Sequence, residues 1–208
     1  MRPVVLYVDF LSPYSYFAIR RLHELPRDVQ VEPRPVLLAG LLQRFGQKGP
    51  AEIESKRRYA YRWCIWWAKQ HGIPFRFPAS HPFNPLHHLR LALAAGPSVG
   101  NVVRIFEAIW TTGADAADPD AFATLARELK VDAARLASPE VKDALRANTE
   151  QAIARGVFGV PTWEADGELF WGSDALDFLN AFLADPAAVR NDEMRRADAL
   201  PVGAARKP

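Results

Sequence analysis

The chain has 208 residues, 49% of them hydrophobic, and a formal net charge of +2. That length fits one domain carrying an insertion, and the apolar fraction supplies a core and excludes a disordered chain. Near-neutral charge argues against nucleic acid as the main partner. No apolar run reaches about 18 residues, which excludes a membrane-spanning helix.

Residues 4–10 read as a first strand, because Val4, Val5, Leu6, Val8 and Phe10 make a short β-rich apolar run. A core strand so near the start leaves no room for a signal peptide. Residues 13–25 read as a helix, with Tyr16, Phe17, Ile19 and Leu22 near one face, and residues 29–36 as a second strand. Strand, helix and strand in so short a span form a βαβ unit, with the right-handed crossover such units adopt.

A helical stretch follows. Residues 37–45 predict a short helix, and residues 52–71 a long one ended by Gly72 and Pro74. Residues 74–85 hold four prolines and no periodicity, so they predict an irregular connection. Helices are predicted over residues 86–95 and 99–111. Asp118-Pro119 starts another, and Ser138-Pro139 repeats the device before a helix over residues 140–155.

The β pattern then returns. Residues 162–165 and 169–171 read as strands around Asp166-Gly167, a tight hairpin signal. Ser173-Asp174 reads as the cap of a last helix reaching residue 183. The charged, alanine-rich stretch from 186 to 208 reads as a frayed tail. The predicted fold class is α/β: a thioredoxin-like domain from residues 1–36 and 156–185, interrupted by a large all-helical insertion over residues 37–155.

Strand one runs into Ser12-Pro13-Tyr14-Ser15, where a thioredoxin-like fold carries a Cys-x-x-Cys pair. Both cysteine positions are serine here. The one cysteine, Cys64, lies far away in a tryptophan-rich helix, and one thiol cannot cycle a dithiol and a disulfide. A single cysteine also fits a reducing compartment, so the cytoplasm is the expected location. A reactive sulfur would have to come from outside, and glutathione is the obvious source.

Ser12 has two readings. It is a helix N-cap followed by Pro13, or its hydroxyl and the free N–H groups hold an anionic sulfur at the positive end of the helix. Val160-Pro161, after a glycine-punctuated loop, is either a trans strand edge or a cis bond exposing the Val160 backbone, and its expected place opposite the Ser12 turn predicts cis. Ser173 and Asp174 are either a cap or a site for a ligand with a carboxylate and an amino group, which the γ-glutamyl end of glutathione offers.

The stretches Val8-Asp9-Phe10-Leu11-Ser12-Pro13-Tyr14-Ser15-Tyr16, Lys56-Arg57-Arg58-Tyr59, Phe83-Asn84, residues 156–161 and residues 167–174 together resemble 2-hydroxychromene-2-carboxylate isomerases. These are relatives of the kappa-class glutathione transferases in the DsbA-like branch of the thioredoxin fold. The resemblance covers residues 4 to about 184. It implies that Ser12 holds the glutathione sulfur and that Val160, before Pro161, binds the cysteinyl backbone. It further implies that Ser173 and Asp174 hold the γ-glutamyl end and that Lys56 meets a carboxylate. Gln47 stands near where the family carries an asparagine, keeping the amide on a longer stem. Tyr14 and Asn84 would lie near a small aromatic-derived substrate.

The implied activity is glutathione-dependent isomerisation. The alternatives are a kappa-like glutathione transferase and a non-catalytic glutathione-binding module. The family resemblance and the apolar surface of the helical insertion predict a homodimer. Trp63, Trp66 and Trp67, on one helix, read as core or interface. His81, His87 and His88 read as surface or helix-start histidines, and no metal site is expected.

Overall fold

A computed structural model describes residues 1–204. A four-stranded sheet, in the order β2-β1-β3-β4, stands at its centre. Strand β1 (Arg2–Val8) pairs in parallel with β2 (Val29–Pro35), Val4 opposite Val31, and antiparallel with β3 (Thr162–Ala165), Leu6 opposite Trp163. Strand β4 (Glu168–Trp171) closes the hairpin on β3. Asp166 and Gly167 both have positive φ, 47° and 83°, as the two central residues of a tight hairpin turn require.

Alternation along β1 covers the sheet on both faces. Val4, Leu6 and Val8 join a large core with Phe10 and with Tyr16 and Phe17 of helix α1 (Pro13–Arg20). That core also takes in Phe106, Ile109 and Trp110 of α5 (Val99–Trp110) and Leu179 and Phe182 of α9 (Leu176–Ala184). Tyr7 faces the other way, into a smaller cluster with Leu41 of α2 (Leu38–Arg44), Ala152 of α8 (Pro139–Ala154), Val157 and Val160. Between β2 and β3 lie α2, α3 (Glu54–Gln70), α4 (Leu86–Ala95), α5, α6 (Pro119–Glu128), α7 (Ala133–Ala137) and α8.

The caps read from the sequence are present. Ser12, Asp118 and Ser138 each accept a hydrogen bond from a first-turn N–H, with proline at the next position. Each such cap stabilises its helix by about 1 kcal/mol. Other expectations need correction. The first helix stops at Arg20 and continues only as a 3-10 turn at Leu22–Glu24. The short α7, capped by Asp132, was not expected.

Ser173 and Asp174 do not cap the last helix. That helix begins at Leu176 behind Ala175, because Gly172, at φ 114°, opens a turn that uses up residues 173–175. Residues 186–198 are not frayed. Asp185 and Pro186 start a 3-10 turn at Pro186–Val189, and Asn191 caps α10 (Asp192–Asp198). Arg190 anchors this stretch by pairing with Glu168 at 2.9 Å and lying over Phe182. The part of the expected tail from 205 to 208 lies outside the described residues.

The irregular segment of residues 74–85 is tied down by backbone bonds. Arg76 N–H donates to Trp110 O at 2.6 Å, and Ala79 N–H to Ala114 O at 3.0 Å. Tyr16 donates its hydroxyl to Pro74 O at 2.7 Å. These contacts fix where His81, at a cis peptide with Pro82, enters the interior.

Candidate active site

A cavity of about 310 Å³ opens between the start of α1, residues 47–52, helix α3, residues 81–82 and residues 158–160. Its walls are mostly apolar: Leu38, Leu42, Pro50, Pro82, Phe158 and the indole of Trp171. The indole lies across Gly159, where an added Cβ would come within 2.9 Å of its Nε1. Polar groups converge from Ser12, Tyr14, Gln47, Tyr61, Cys64 and His81. A larger, more open hollow of about 820 Å³ runs along the β2 edge beside residues 95–101. It contains none of these groups and no helix start aimed into it from α1, so the smaller cavity is the candidate site.

Ser12 is 5% exposed. Its Oγ accepts from Ser15 N–H at 3.2 Å and donates to Val160 O at 3.4 Å. The Val160–Pro161 peptide is cis. The cap reading and the ligand reading of Ser12 therefore share one geometry. The bond to Val160 is long and weak, so the hydroxyl proton is readily given to a better acceptor. Pro13 has no N–H, and the Tyr14 backbone N–H has no hydrogen-bond partner among the described residues. A free N–H, a hydroxyl and the positive end of α1 suit an anionic sulfur.

The chain's own thiol is unsuited to that role. Cys64 is buried, and burial pushes its pKa up to about 12, outweighing the lowering effect of the neighbouring Tyr14 hydroxyl. Burial, followed by the nearby Cys64, holds the Tyr14 phenol well above its ordinary value, so Tyr14 remains a neutral donor.

Beneath the Ser12 turn lies Asp9, fully buried. Its Oδ1 accepts from Leu11 N–H at 2.9 Å and its Oδ2 from Leu38 N–H at 2.8 Å, joining the start of α2 to the Ser12 loop. Burial raises its pKa from 3.8 to about 6, against the lowering effect of those two bonds.

The structure brings Ser12, Tyr14, Gln47 and Val160 onto one cavity, and Pro161 is buried next to Val160, off the lining. Four more predicted site residues are not on its walls. Lys56 is exposed on α3 and has no ion-pair partner among the described residues. Asn84 is exposed and its Oδ1 accepts from Leu86 N–H at 3.1 Å, at the start of α4. Ser173 is buried, and its carbonyl accepts from Arg21 at 2.7 Å. Asp174 is exposed, its carboxylate folded back beside Gly172, whose N–H donates to Pro161 O at 2.9 Å.

Among the tryptophans, Trp63 stacks on Trp67 and packs at a tilt against Tyr14, while Trp66 is exposed. The reading of the histidines as surface or helix-start residues is corrected for His81, which lines the cavity. His87 and His88 stand in the first turn of α4, as read, although His88 is buried and burial lowers its pKa to about 4. Asp9, Tyr61 and His81 received no role from the sequence. Tyr61 and His81 lie 20 positions apart across an aperiodic segment, so no local pattern links them.

The family model for the DSBA-like thioredoxin domain matches residues 3–184. The chain belongs to the DSBA-like thioredoxin family. It is 31% identical to a 2-hydroxychromene-2-carboxylate isomerase of Sphingobium xenophagum, over 88% of this chain and 99% of that one. It is 29% identical to the glutathione S-transferase kappa 2 of Caenorhabditis elegans, over 88% and 92%. A solved 2-hydroxychromene-2-carboxylate isomerase superposes with a TM-score of 0.79 at 27% identity, covering 96% of this chain and all of that one. The isomerase relatives thus resemble this chain in both sequence and fold, and the kappa-class transferase resembles it in sequence.

Proposed function

We propose that the protein is a glutathione-dependent isomerase of the 2-hydroxychromene-2-carboxylate type. One observation carries the reading: Ser12 stands at the α1 N-terminus beside the Val160 carbonyl, at a cavity whose only cysteine is a buried, high-pKa thiol. A fold that holds Cys-x-x-Cys at this junction has here a serine able to steady a sulfur brought in by another molecule. The isomerase and kappa-transferase relatives support glutathione as that molecule.

In the proposed mechanism the glutathione thiolate accepts the Ser12 hydroxyl proton as a hydrogen bond, and the α1 N-terminus lowers the thiol pKa. The sulfur bonds to an electron-poor carbon of a conjugated, aromatic-derived substrate, and the displaced electron pair moves to the substrate's carbonyl oxygen as an enolate. The former double bond rotates as a single bond. The enolate then collapses, the carbon–sulfur bond breaks, and glutathione leaves unchanged. The apolar walls of Pro50, Phe158 and Trp171 exclude water and hold the ring. Gln47 on the cavity wall and Lys56, Ser173 and Asp174 outside it are proposed to meet the polar ends of glutathione. The protein is further proposed to act as a homodimer in a reducing compartment such as the cytoplasm, and a monomeric mass by light scattering would remove the dimer.

A kappa-like transferase would use the same site and stop after addition or displacement, a reading favoured by the kappa-class relative. A panel of conjugated aromatic acids, with and without glutathione, separates the cases. Isomerisation gives a spectral change with no new mass, and only when glutathione is present. A conjugate of higher mass indicates the transferase. Glutathione binding without turnover leaves a binding module, and conversion that is independent of glutathione overturns the proposal.

A further inference from the structure

Tyr61 and His81 face each other on the cavity wall, and their hydrogen bonds are one proton short. His81 Nε2 lies 2.9 Å from Leu11 O, which can only accept, so Nε2 carries the proton in neutral imidazole and Nδ1 carries a lone pair. That lone pair lies 2.6 Å from the Tyr61 hydroxyl oxygen. The same hydroxyl lies 2.7 Å from the His81 carbonyl oxygen. Tyr61 has one proton for two acceptors. One further proton would satisfy both, with Nδ1–H donating to Tyr61 and Tyr61 donating onward.

We propose that Tyr61 and His81 form a proton-accepting pair for a hydroxyl-bearing aromatic ligand, a phenol or enol, bound in this cavity. The inference rests on the reading that the cavity beside Ser12 takes the substrate, but it does not need glutathione. The ligand hydroxyl gives its proton to the Tyr61 oxygen as Tyr61 passes its own to His81 Nδ1. The products are a ligand oxyanion, a neutral tyrosine whose one O–H can turn from the His81 carbonyl to the oxyanion, and an imidazolium whose charge stabilises it. The reverse transfer returns the proton. The leading carbonyl belongs to Leu11, next to Ser12, so the pair and the thiolate site share one loop.

The surroundings keep the pair ready to accept. Burial lowers the His81 pKa, against the raising effect of its bond to Leu11, so the ring rests with its Nδ1 lone pair free, and the oxyanion formed beside it offsets the cost of charging a buried imidazole. Phe77 and Trp110 pack around its ring. Burial raises the Tyr61 pKa, Arg57 on the same helix lowers it, and Cys64 raises it. Lys48, Glu52 and Tyr14 are the other titratable groups on the cavity wall.

para-Nitrophenol tests the pair, because its phenolate absorbs visibly and the readout needs no turnover. Titrated on the full chain, the bound probe should be roughly tenfold more ionised at a given pH than the free probe, one unit of pKa. Tyr61→Phe, which removes one oxygen, and His81→Gln, which retains a donor for Leu11, should each return the bound probe to its free behaviour. A probe that fails to bind, that ionises no more readily when bound, or that keeps its shift in both variants would overturn the inference. Calorimetry with glutathione on the same samples separates the two readings. Probe ionisation without glutathione binding sinks the glutathione-dependent function and leaves the pair standing.

Discussion

Replacing Asp9 with asparagine removes a carboxyl that the fold holds in its less favourable charge state near neutral pH. Asp9 is completely buried, and no cation is among the causes that shift it. Two backbone N–H groups, from Leu11 and Leu38, are its compensation. Its pKa in the fold is about 6 against 3.8 for the free group, so the native state holds the proton more tightly than the unfolded chain does. The stability of the wild type relative to Asp9→Asn therefore falls as pH rises from about 4 to about 6, and it is level above that. A shift of about 2 units corresponds to a fall of about 3 kcal/mol. The variant has its own constant cost, because asparagine has one oxygen for two N–H donors and its amide would face the second, at about 1–3 kcal/mol. That cost does not titrate, so the slope alone reports Asp9. Urea unfolding of both proteins across this pH range, at fixed ionic strength, measures the difference. A difference that stays flat, or that grows with pH, would refute the account of Asp9 as a buried carboxyl without a counter-charge.

The other predictions concern the rim and the helix start. Ser12→Ala should raise the pKa of bound glutathione and lower turnover near neutral pH while affinity changes little; loss of the cap alone would cost about 0.5–2 kcal/mol of stability and leave the thiolate absorbance titration unmoved. Asp174→Ala should weaken glutathione binding by roughly 1–3 kcal/mol in calorimetry through loss of a charge-assisted bond, and full affinity would release Asp174 from the site. Gly172→Ala places a side chain at φ 114° against the Asp174 carboxylate, so it should cost about 1–3 kcal/mol in thermal unfolding and weaken glutathione binding with it. A normal melting temperature with normal affinity would show that this turn does not position Asp174.

Much of the fold was legible because it is written locally. The β-rich run before Ser12, the Asp118-Pro119 and Ser138-Pro139 starts and the Asp166-Gly167 turn each depend on neighbours within a few residues, and each appears in the structure. The Ser12 turn and the Val160–Pro161 peptide were also readable, since both sit at the ends of those local units. The errors fall where distant contacts choose among local options. Ser173-Asp174 has the composition of a cap, but Gly172 and the bond from Arg21 to the Ser173 carbonyl hold it in a turn. Residues 186–198 look solvated, but Glu168 and Phe182 give Arg190 a place to dock.

The sequence by itself determined that a strand would deliver a serine to a helix start where this fold carries a redox cysteine, and that one cysteine could not replace the missing pair. Those conclusions need only residue identity and short-range periodicity. Only the tertiary structure decided which side chains share the cavity and in what charge state. Tyr61 meets His81 because the tied segment of residues 74–85 carries the imidazole to the Leu11 carbonyl. Asp9 carries a raised pKa because burial strips its water, and burial raises the Cys64 thiol in the same way. Desolvation and hydrogen-bond saturation are properties of a packed neighbourhood, and residues far apart in the chain compose that neighbourhood only once it has folded.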